Sequence, residues 1–198
     1  MNEDFTPKLM GDVLGLEWAD ITVRNHLQKI PNFNNWEYTN RSYFFYLKVY
    51  EIKRYYPEYI TNVSKRVIDF SAGNGILLEI MRWLGHEVVG TDIPGSVFSM
   101  LARTQGIPII EHNCNILPFP VPSDSYDLLV NVGAIHHYIS PWKEVLDEFF
   151  RIARETVFIS VTRGDNYDNK KHILDEYDHV GWVKVPDLPI GIYKWVKV

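Results

Sequence analysis

Cysteine is nearly absent from this chain, which has only Cys114 among its 198 residues. A single thiol cannot form an internal disulfide, and it leaves no cluster of cysteines that could bind zinc. Apolar runs of about 20 residues, the length of a membrane-spanning helix, are also missing. The first residues lack the basic start and apolar run of a secretory signal peptide. We therefore expect a cytoplasmic protein without a membrane partner.

Basic residues are in deficit as well. Lys and Arg total 20 while Asp and Glu total 25, which gives a formal net charge of −5. Proteins that bind nucleic acid usually present a basic face, so this balance argues against a nucleic-acid partner. The hydrophobic fraction of 46% is that of a globular protein. A chain of this length is expected to form one compact domain overall with a substantial core.

The first 62 residues show helical patterns and no strand pattern. Four apolar residues recur at helical spacing: Phe45, Val49, Ile52 and Tyr56. A weaker helical pattern covers residues 17–28. Two interpretations remain open for this aromatic-rich segment. It packs on the rest of the fold and completes the core, or it forms a lid in which Trp36, Tyr43 or Tyr46 lines a substrate pocket.

From Arg66 onward, strand and helix patterns alternate, which predicts a parallel sheet with helices on both faces. Strands are expected near residues 66–70, 87–91, 108–112, 126–132 and 156–162. Helices are expected near residues 75–84, 95–105, 141–153 and 168–177. Two more alternating segments, 181–185 and 192–198, are joined by a link that is too short for a crossover helix. They must therefore pair antiparallel or not be neighbours.

Small residues follow the first predicted strand in the run Ser71-Ala72-Gly73-Asn74-Gly75, and a helix pattern begins at Ile76. Glycine takes positive φ without steric cost and lets a ligand approach the backbone. The N–H groups at the start of the helix can then bind an anionic group. The next strand ends in Asp92, whose carboxylate is placed to accept hydrogen bonds from a ribose diol. This arrangement predicts a site for a nucleoside-containing cofactor.

The spacing within this turn distinguishes between cofactors. A dinucleotide fingerprint needs G-x-G-x-x-G, whereas Leu78 stands at the third glycine position here. The pattern Asp69-x-Ser71-x-Gly73-x-Gly75 instead resembles motif I of the class I S-adenosylmethionine-dependent methyltransferases, commonly D-x-G-x-G-x-G. Ser71 replaces the first glycine, and this departure bears on the local turn geometry. The alternative is an ordinary strand-to-helix turn in another Rossmann-like protein.

Two later segments resemble the same family. Residues 111–120 are similar to the segment after its third strand, with Asn113 in the place of an acid. Residues 125–138 are similar to its fourth strand and the loop that follows. The resemblance implies an α/β Rossmann-like sheet of strand order 3-2-1-4-5-7-6 with the last strand antiparallel. It also implies an N-terminal helical cap over residues 1–62 and a methyltransferase core over residues 63–198.

The resemblance implies S-adenosyl-L-methionine as the cofactor, S-adenosyl-L-homocysteine as its product, and no metal. The turn after the first strand would hold the methionyl part, with Asp69 near its ammonium group. Asp92 would accept from the ribose hydroxyls and Ile93 would pack on the adenine, whose edge would meet Asn113 and Cys114. The predicted cofactor-binding residues are Asp69, Ser71, Ala72, Gly73, Gly75, Asp92, Ile93, Asn113, Cys114 and Asn131.

His136 and His137 follow the fourth predicted strand and should lie at the same crevice. A neutral imidazole can accept a proton from a hydroxyl nucleophile at physiological pH. The pair resembles that of some small-molecule O-methyltransferases, and the alternative is a role in packing or in positioning the cofactor. No carboxylate or Cys stands at ligand spacing, so a metal site is not expected. Arg163 either grips an anionic substrate or is a solvated loop charge.

The segment Asn131-Val132-Gly133-Ala134 lacks the Asn/Asp-Pro-Pro-Tyr/Phe motif. The resemblance implies that methyltransferases acting on nucleobase or glutamine amino groups typically carry this motif. We therefore expect methyl transfer to a small molecule, with a hydroxyl as the favoured acceptor, by a monomer or homodimer. Two alternatives remain: a methyltransferase that acts on a protein or RNA, and a non-catalytic protein that keeps a nucleoside-binding fold.

Overall fold

The computed structural model describes residues 48–49, 51–139, 141–161 and 165–198, with the backbone alone at 165–169. The chain divides into two units, Met1–Thr61 and Asn62–Val198. In the first unit, residues 51–55 are helical and a 3-10 helix spans Pro57–Tyr59. The pattern predicted for residues 17–28 lies outside the described residues, and the cap over residues 1–62 stays a prediction.

Seven strands form one sheet within the described part of the second unit. They are β1 (Arg66–Phe70), β2 (Glu87–Asp92), β3 (Ile109–Glu111), β4 (Tyr126–Val132), β5 (Ala153–Ser160), β6 (Trp182–Lys184) and β7 (Ile192–Lys197). The order is β3-β2-β1-β4-β5-β7-β6. Neighbours among β1 to β5 pair in parallel, and β7 pairs antiparallel with both β5 and β6. The predicted strand order and antiparallel end are confirmed.

Four helices connect these strands where the structure describes them. They are α1 (Ile76–Trp83), α2 (Val97–Thr104), α3 (Trp142–Ile152) and α4 (Asp165–Glu176). The main departure from the predicted boundaries is β5, which begins at Ala153 directly after α3 and ends at Ser160. Arg154 and Glu155, the second and third residues of β5, have exposed side chains. The apolar run that marks this strand in the sequence therefore begins only at Thr156.

Helix α3 shows how the core is built. Its buried residues recur at the spacing of one helix face: Trp142, Val145, Leu146, Phe149 and Phe150. Phe149 packs its ring 5.0 Å from the ring of Phe70 at the end of β1. Because β1 and β4 are covered on both faces, their residues are buried almost without a break, as parallel strands require.

The sheet order creates one place where functional loops gather. The chain proceeds from β1 to β2 and β3 on one side, and returns to β4 on the other side of β1. Parallel strands end at the same edge, so a crevice forms where the order reverses. The turn after β1, Asp92 and the loops that follow β3 and β4 all lie at this edge. None of the described helices has the length and apolarity to cross a bilayer.

Candidate active site

The turn after β1 combines a costly backbone conformation with several anchors. Three of its residues have positive φ: Ser71 (62°), Gly73 (54°) and Gly75 (73°). The left-handed region costs an L-residue about 1–2 kcal/mol, so Ser71 needs support from its surroundings. Its N–H donates to Thr91 Oγ1 at 3.2 Å, and the N–H of Ala72 donates to Thr91 O at 2.9 Å. These bonds tie the turn to the end of β2.

Gly73 and Gly75 serve different purposes in this turn. A Cβ atom added to Gly73 would meet no atom within 4 Å, so this backbone borders open space. A Cβ atom on Gly75 would come 2.8 Å from the Cβ of Ala102 and 3.0 Å from Cδ1 of Ile107. Gly75 therefore permits close packing at the start of α1, while Gly73 leaves the turn accessible to a ligand.

The open side of the turn also presents hydrogen-bond donors. Among the described residues, no protein atom accepts from the N–H groups of Gly73 and Asn74. Both groups lie just before α1, whose first turn adds the positive end of the helix dipole. Adjacent N–H groups in such a turn form a concave site for an anionic or carbonyl oxygen. The turn therefore fits the carboxylate end of an amino-acid ligand.

Asp92 and Ile93 offer the second part of a nucleoside site. Oδ1 of Asp92 accepts the N–H of Ile93 at 2.8 Å, which fixes the direction of the carboxylate. A carboxylate has about four lone-pair sites, so acceptor capacity remains for hydroxyl groups. Ile93 is 51% exposed beside it. An exposed apolar side chain next to a carboxylate suits a sugar with an attached planar base.

The loop after β3 is joined to the loop after β4. Oδ1 of Asn113 accepts the N–H of Asn115 at 3.0 Å, and Oδ1 of Asn115 accepts the N–H of Ile139 at 2.7 Å. The side-chain oxygen of Asn113 thus already supports its own loop, with a second lone pair available. Acceptance of the adenine amino group by Asn113 stays a prediction. The bond to Ile139 fixes the distance between the two loops.

A buried tyrosine connects the turn after β1 with the loop after β4. The hydroxyl oxygen of Tyr138 lies 2.8 Å from Ser71 Oγ, and it accepts a hydrogen bond from Asn131 Nδ2 at 2.9 Å. Asn131 is fully buried, and it also donates to Phe70 O and accepts the N–H of Ile135 at 2.9 Å each. These bonds support a positioning role for Asn131, and its predicted contact with the cofactor stays untested.

The thiol of Cys114 lies against the same hydroxyls. Burial raises the pKa of Cys114, and hydrogen bonds from Tyr138 and Ser71 offset part of this rise. Burial also raises the pKa of Tyr138 well above its ordinary value, and the nearby Cys114 adds to the rise. Both groups therefore keep their protons at neutral pH. The cluster is uncharged and acts through hydrogen bonds.

His136 and His137 lie in a 3-10 helix, Ile135–His137, directly before Tyr138. Their ring centroids are 3.8 Å apart with the ring planes inclined by 46°. His136 is half-buried and His137 is exposed. Burial lowers the pKa of His136, and the neighbouring His137 lowers it further. The imidazole of His136 is therefore neutral at physiological pH, as a proton acceptor must be.

The remaining predicted residues are placed as follows. Asp69 lies in β1 and is 5% exposed, so its approach to a ligand ammonium stays a prediction. Four predicted substrate-pocket residues lie outside the described residues: Trp36, Tyr43, Tyr46 and Arg163. The part of the chain that the structure describes holds no group of three or more His, Cys, Asp or Glu arranged for a metal ion.

Sequence reasoning missed two residues of this site, Thr91 and Tyr138. Thr91 precedes Asp92 in β2, and it was read as part of the strand pattern rather than as a hydrogen-bonding side chain. Tyr138 follows the histidine pair. The one sequence signal for its role was a hydroxyl on the loop after β4, which was expected to face the turn after β1. Tyr138 contacts Ser71, which is 67 positions away, and the spacing of residues within one segment cannot predict such a contact.

Comparison with known proteins agrees with this geometry. Residues 68–160 match the sequence model of a family described as "Methyltransferase domain". A relative from Bacillus pumilus (strain SAFR-032), described as an uncharacterized methyltransferase, is 29% identical over 80 residues. The match covers 40% of this chain and 37% of that relative, so the chain spans little more than a third of its length.

Solved structures share the fold at low identity. A TehB-like SAM-dependent methyltransferase from Corynebacterium glutamicum has a TM-score of 0.54 at 13% identity, over 72% of this chain and 85% of that one. A SAM-dependent methyltransferase from Aquifex aeolicus has a TM-score of 0.50 at 13% identity, over 74% and 91%. Residues 68–160, a little under half of the chain, thus match a methyltransferase domain, and the sheet has the strand order typical of the class I S-adenosylmethionine-dependent methyltransferases.

Proposed function

We propose that this protein transfers the methyl group of S-adenosyl-L-methionine to a hydroxyl group of a small molecule. The observation that carries the proposal is the 2.8 Å contact between Ser71 and Tyr138. It brings the open turn after β1 next to the loop that bears His136 and His137. A cofactor site and a proton acceptor therefore share one crevice.

The residues at the crevice fit the cofactor part by part. The free N–H groups of Gly73 and Asn74 suit the methionyl carboxylate, and Asp92 suits the ribose hydroxyls. Ile93 offers its exposed side chain to the adenine. When bound, S-adenosyl-L-methionine supplies an electrophilic methyl group on a positively charged sulfur. The protein holds this group in line with the acceptor, and such orientation can account for about 7–11 kcal/mol of a barrier.

A hydroxyl acceptor releases a proton as it is methylated, and His136 is our candidate to receive it. Burial and the neighbouring His137 lower the pKa of His136, so its ring is unprotonated and able to accept. Proton acceptance by a positioned base contributes about 10²–10⁴-fold to a rate. His137 is more exposed and is the second candidate for the same role.

The acceptor class rests on charge and on the loop after β4. The net charge of −5 disfavours a polyanionic substrate such as RNA. The segment that begins at Asn131 lacks the motif that the family resemblance associates with amino-group acceptors. Trp36, Tyr43, Tyr46 and Arg163 remain proposed contacts of the acceptor. The cytoplasmic location and the monomeric or homodimeric state also stay proposals.

Two measurements test this function in sequence. The purified chain is titrated with S-adenosyl-L-homocysteine by calorimetry, and binding should appear together with a higher melting temperature. Methyl-labelled S-adenosyl-L-methionine is then supplied with small hydroxyl compounds, with total RNA and with unfolded protein in separate reactions. Label in a small hydroxyl compound supports the proposal. The absence of binding, or label in RNA or protein alone, refutes it.

A further inference from the structure

We infer that Tyr138 is a positioning residue that holds Ser71 in its left-handed conformation and so presets the turn after β1 for the methionyl end of the cofactor. This inference rests on the cofactor site proposed above. It assigns a function to the hydrogen-bonded cluster of Ser71, Cys114, Asn131 and Tyr138, in which Asn131 and Tyr138 are buried. The inference is carried by the backbone of Ser71, the anchoring of Tyr138 and the hydrogen bonds between them.

Ser71 stands where the backbone favours glycine. Its φ of 62° lies in the region that L-residues other than glycine rarely adopt. Ser71 therefore stays in this conformation because neighbouring groups hold it. Two groups do so in the structure, Thr91 Oγ1 at its N–H and the Tyr138 hydroxyl at its Oγ. Together they restrain the backbone and the side chain of the same residue.

Tyr138 is anchored independently of any ligand. It is 2% exposed, and its hydroxyl is fixed by Asn131 Nδ2 at 2.9 Å. The other N–H of that amide donates to Phe70 O, at the end of β1, and Oδ1 of Asn131 receives the N–H of Ile135. Tyr138 is thus held between β1 and the start of the histidine-bearing 3-10 helix. Its hydroxyl can keep Ser71 in place before the cofactor arrives.

The hydroxyl protons of Tyr138 and Ser71 have several acceptors within the cluster. The oxygen of Tyr138 accepts from Asn131, which leaves the phenolic proton to be donated. Either hydroxyl can be the donor in the 2.8 Å contact of Tyr138 with Ser71 Oγ, and the Cys114 thiol lies beside both hydroxyls. With Tyr138 as the donor, the proton of Ser71 is available for Cys114 or for a ligand acceptor. A methionyl carboxylate at the neighbouring N–H groups of Gly73 and Asn74 is such an acceptor.

Calorimetric titration with S-adenosyl-L-homocysteine tests the role of the Tyr138 hydroxyl. Tyr138→Phe should raise the Kd about tenfold, the effect of losing one well-formed hydrogen bond. Tyr193→Phe is the matched control, because the Tyr193 hydroxyl is also buried and hydrogen-bonded, to Asp175 at 2.9 Å. Tyr193 lies on β7, with β4 and β5 between it and β1. The Kd of Tyr193→Phe for S-adenosyl-L-homocysteine should stay within about twofold of the wild-type value.

Substitutions at Ser71 separate positioning from general stability. Ser71→Ala has the same steric cost of positive φ but lacks the hydroxyl that is held by Tyr138, so it should weaken binding at least as much as Tyr138→Phe. Ser71→Gly adopts positive φ without a tether. In the Ser71→Gly background, Tyr138→Phe should therefore change the Kd by less than about twofold, against about tenfold in the wild type. Melting temperatures confirm that each variant is folded at the temperature of titration.

The outcomes distinguish this inference from the proposed function. A wild-type chain that does not bind S-adenosyl-L-homocysteine overturns the cofactor site and the inference together. Wild-type binding with an unchanged Kd in Tyr138→Phe overturns the inference alone. The inference is also overturned if Tyr138→Phe weakens binding equally in the wild type and in the Ser71→Gly variant, because the tyrosine then acts through Asn131 or general packing. If Tyr138→Phe does not fold, the comparison of Ser71→Ala with Ser71→Gly decides: equal binding by these two refutes the tether.

Discussion

Replacement of Asp92 by alanine should remove most of the affinity for S-adenosyl-L-homocysteine. Oδ1 of Asp92 accepts one hydrogen bond, from the N–H of Ile93, so three of its four or so lone-pair sites remain for the ribose hydroxyls. A hydrogen bond to a charged group contributes about 1.5–3 kcal/mol. At about 1.4 kcal/mol per factor of ten, the Kd should rise about 10–150-fold.

The folded state should tolerate this change. Asp92 is half-buried at the end of β2, and the N–H of Ile93 can bond to water once the carboxylate is gone. The melting temperature without ligand should therefore move little, while the increase on adding ligand should shrink. Calorimetry gives the Kd, and thermal unfolding with and without ligand gives the shift.

Asp178→Ala serves as the control for the loss of one negative charge. Asp178 is exposed between α4 and β6, the edge strand on the opposite side of the sheet from β2, and its charge raises the pKa of Lys184. Its Kd should equal that of the wild type. If Asp92→Ala leaves the Kd within twofold of the wild type, Asp92 does not bind the ribose and the cofactor assignment is wrong.

Three further predictions concern protons. An NMR titration of the His136 ring should give a midpoint below the ordinary histidine pKa of 6.5, and this midpoint should move toward 6.5 in His137→Ala. A midpoint at or above 6.5 in the wild type would contradict the assignment of His136 as a neutral base. Once the acceptor is known, His136→Ala should lower kcat about 10²–10⁴-fold and leave the Kd of S-adenosyl-L-homocysteine nearly unchanged, whereas a parallel loss of both would indicate positioning. The carboxylate of Glu148 accepts hydrogen bonds from Arg151 and from the N–H of Phe119, and these bonds lower the pKa of Glu148. The charged carboxylate therefore stabilises the folded state above the ordinary pKa, and this contribution is lost as the pH falls through the lowered pKa. Glu148→Gln should reduce the free energy of unfolding by about 1.5–3 kcal/mol at pH 7, and urea titrations in which that difference persists at pH 2 would refute the assignment.

Periodicity in the sequence predicted the sheet well, because its central strands are buried on both faces and its helices carry one apolar stripe. Strand β1 ends at Phe70 as predicted, and β2 ends at Asp92, one residue beyond its predicted end. Prediction failed where side chains at a strand end reach solvent. Arg154 and Glu155 follow the first residue of β5 and have exposed side chains, so the apolar pattern did not predict the paired backbone at Ala153.

The candidate site was predictable where one local segment carries it. The positive φ values of Gly73 and Gly75 follow from residue type and position, and so does the carboxylate of Asp92 at a strand end. Contacts between distant segments were not predictable. The bonds of Tyr138 to Ser71 and of Asn115 to Ile139 join loops that meet only because β1 pairs with β4 and β2 pairs with β3.

Ser71 shows how a departure from the family motif can be compatible with its geometry. The sequence left open whether serine in place of the first glycine alters the turn, and the structure keeps positive φ at this position. The same fold places a tyrosine hydroxyl 2.8 Å from the serine oxygen. Serine and tyrosine therefore form one unit, since a serine without that partner would be strained and a tyrosine without the serine would lose a hydrogen-bond partner for its buried hydroxyl. A turn held in this way loses less conformational freedom when a ligand binds, and that preorganisation strengthens binding.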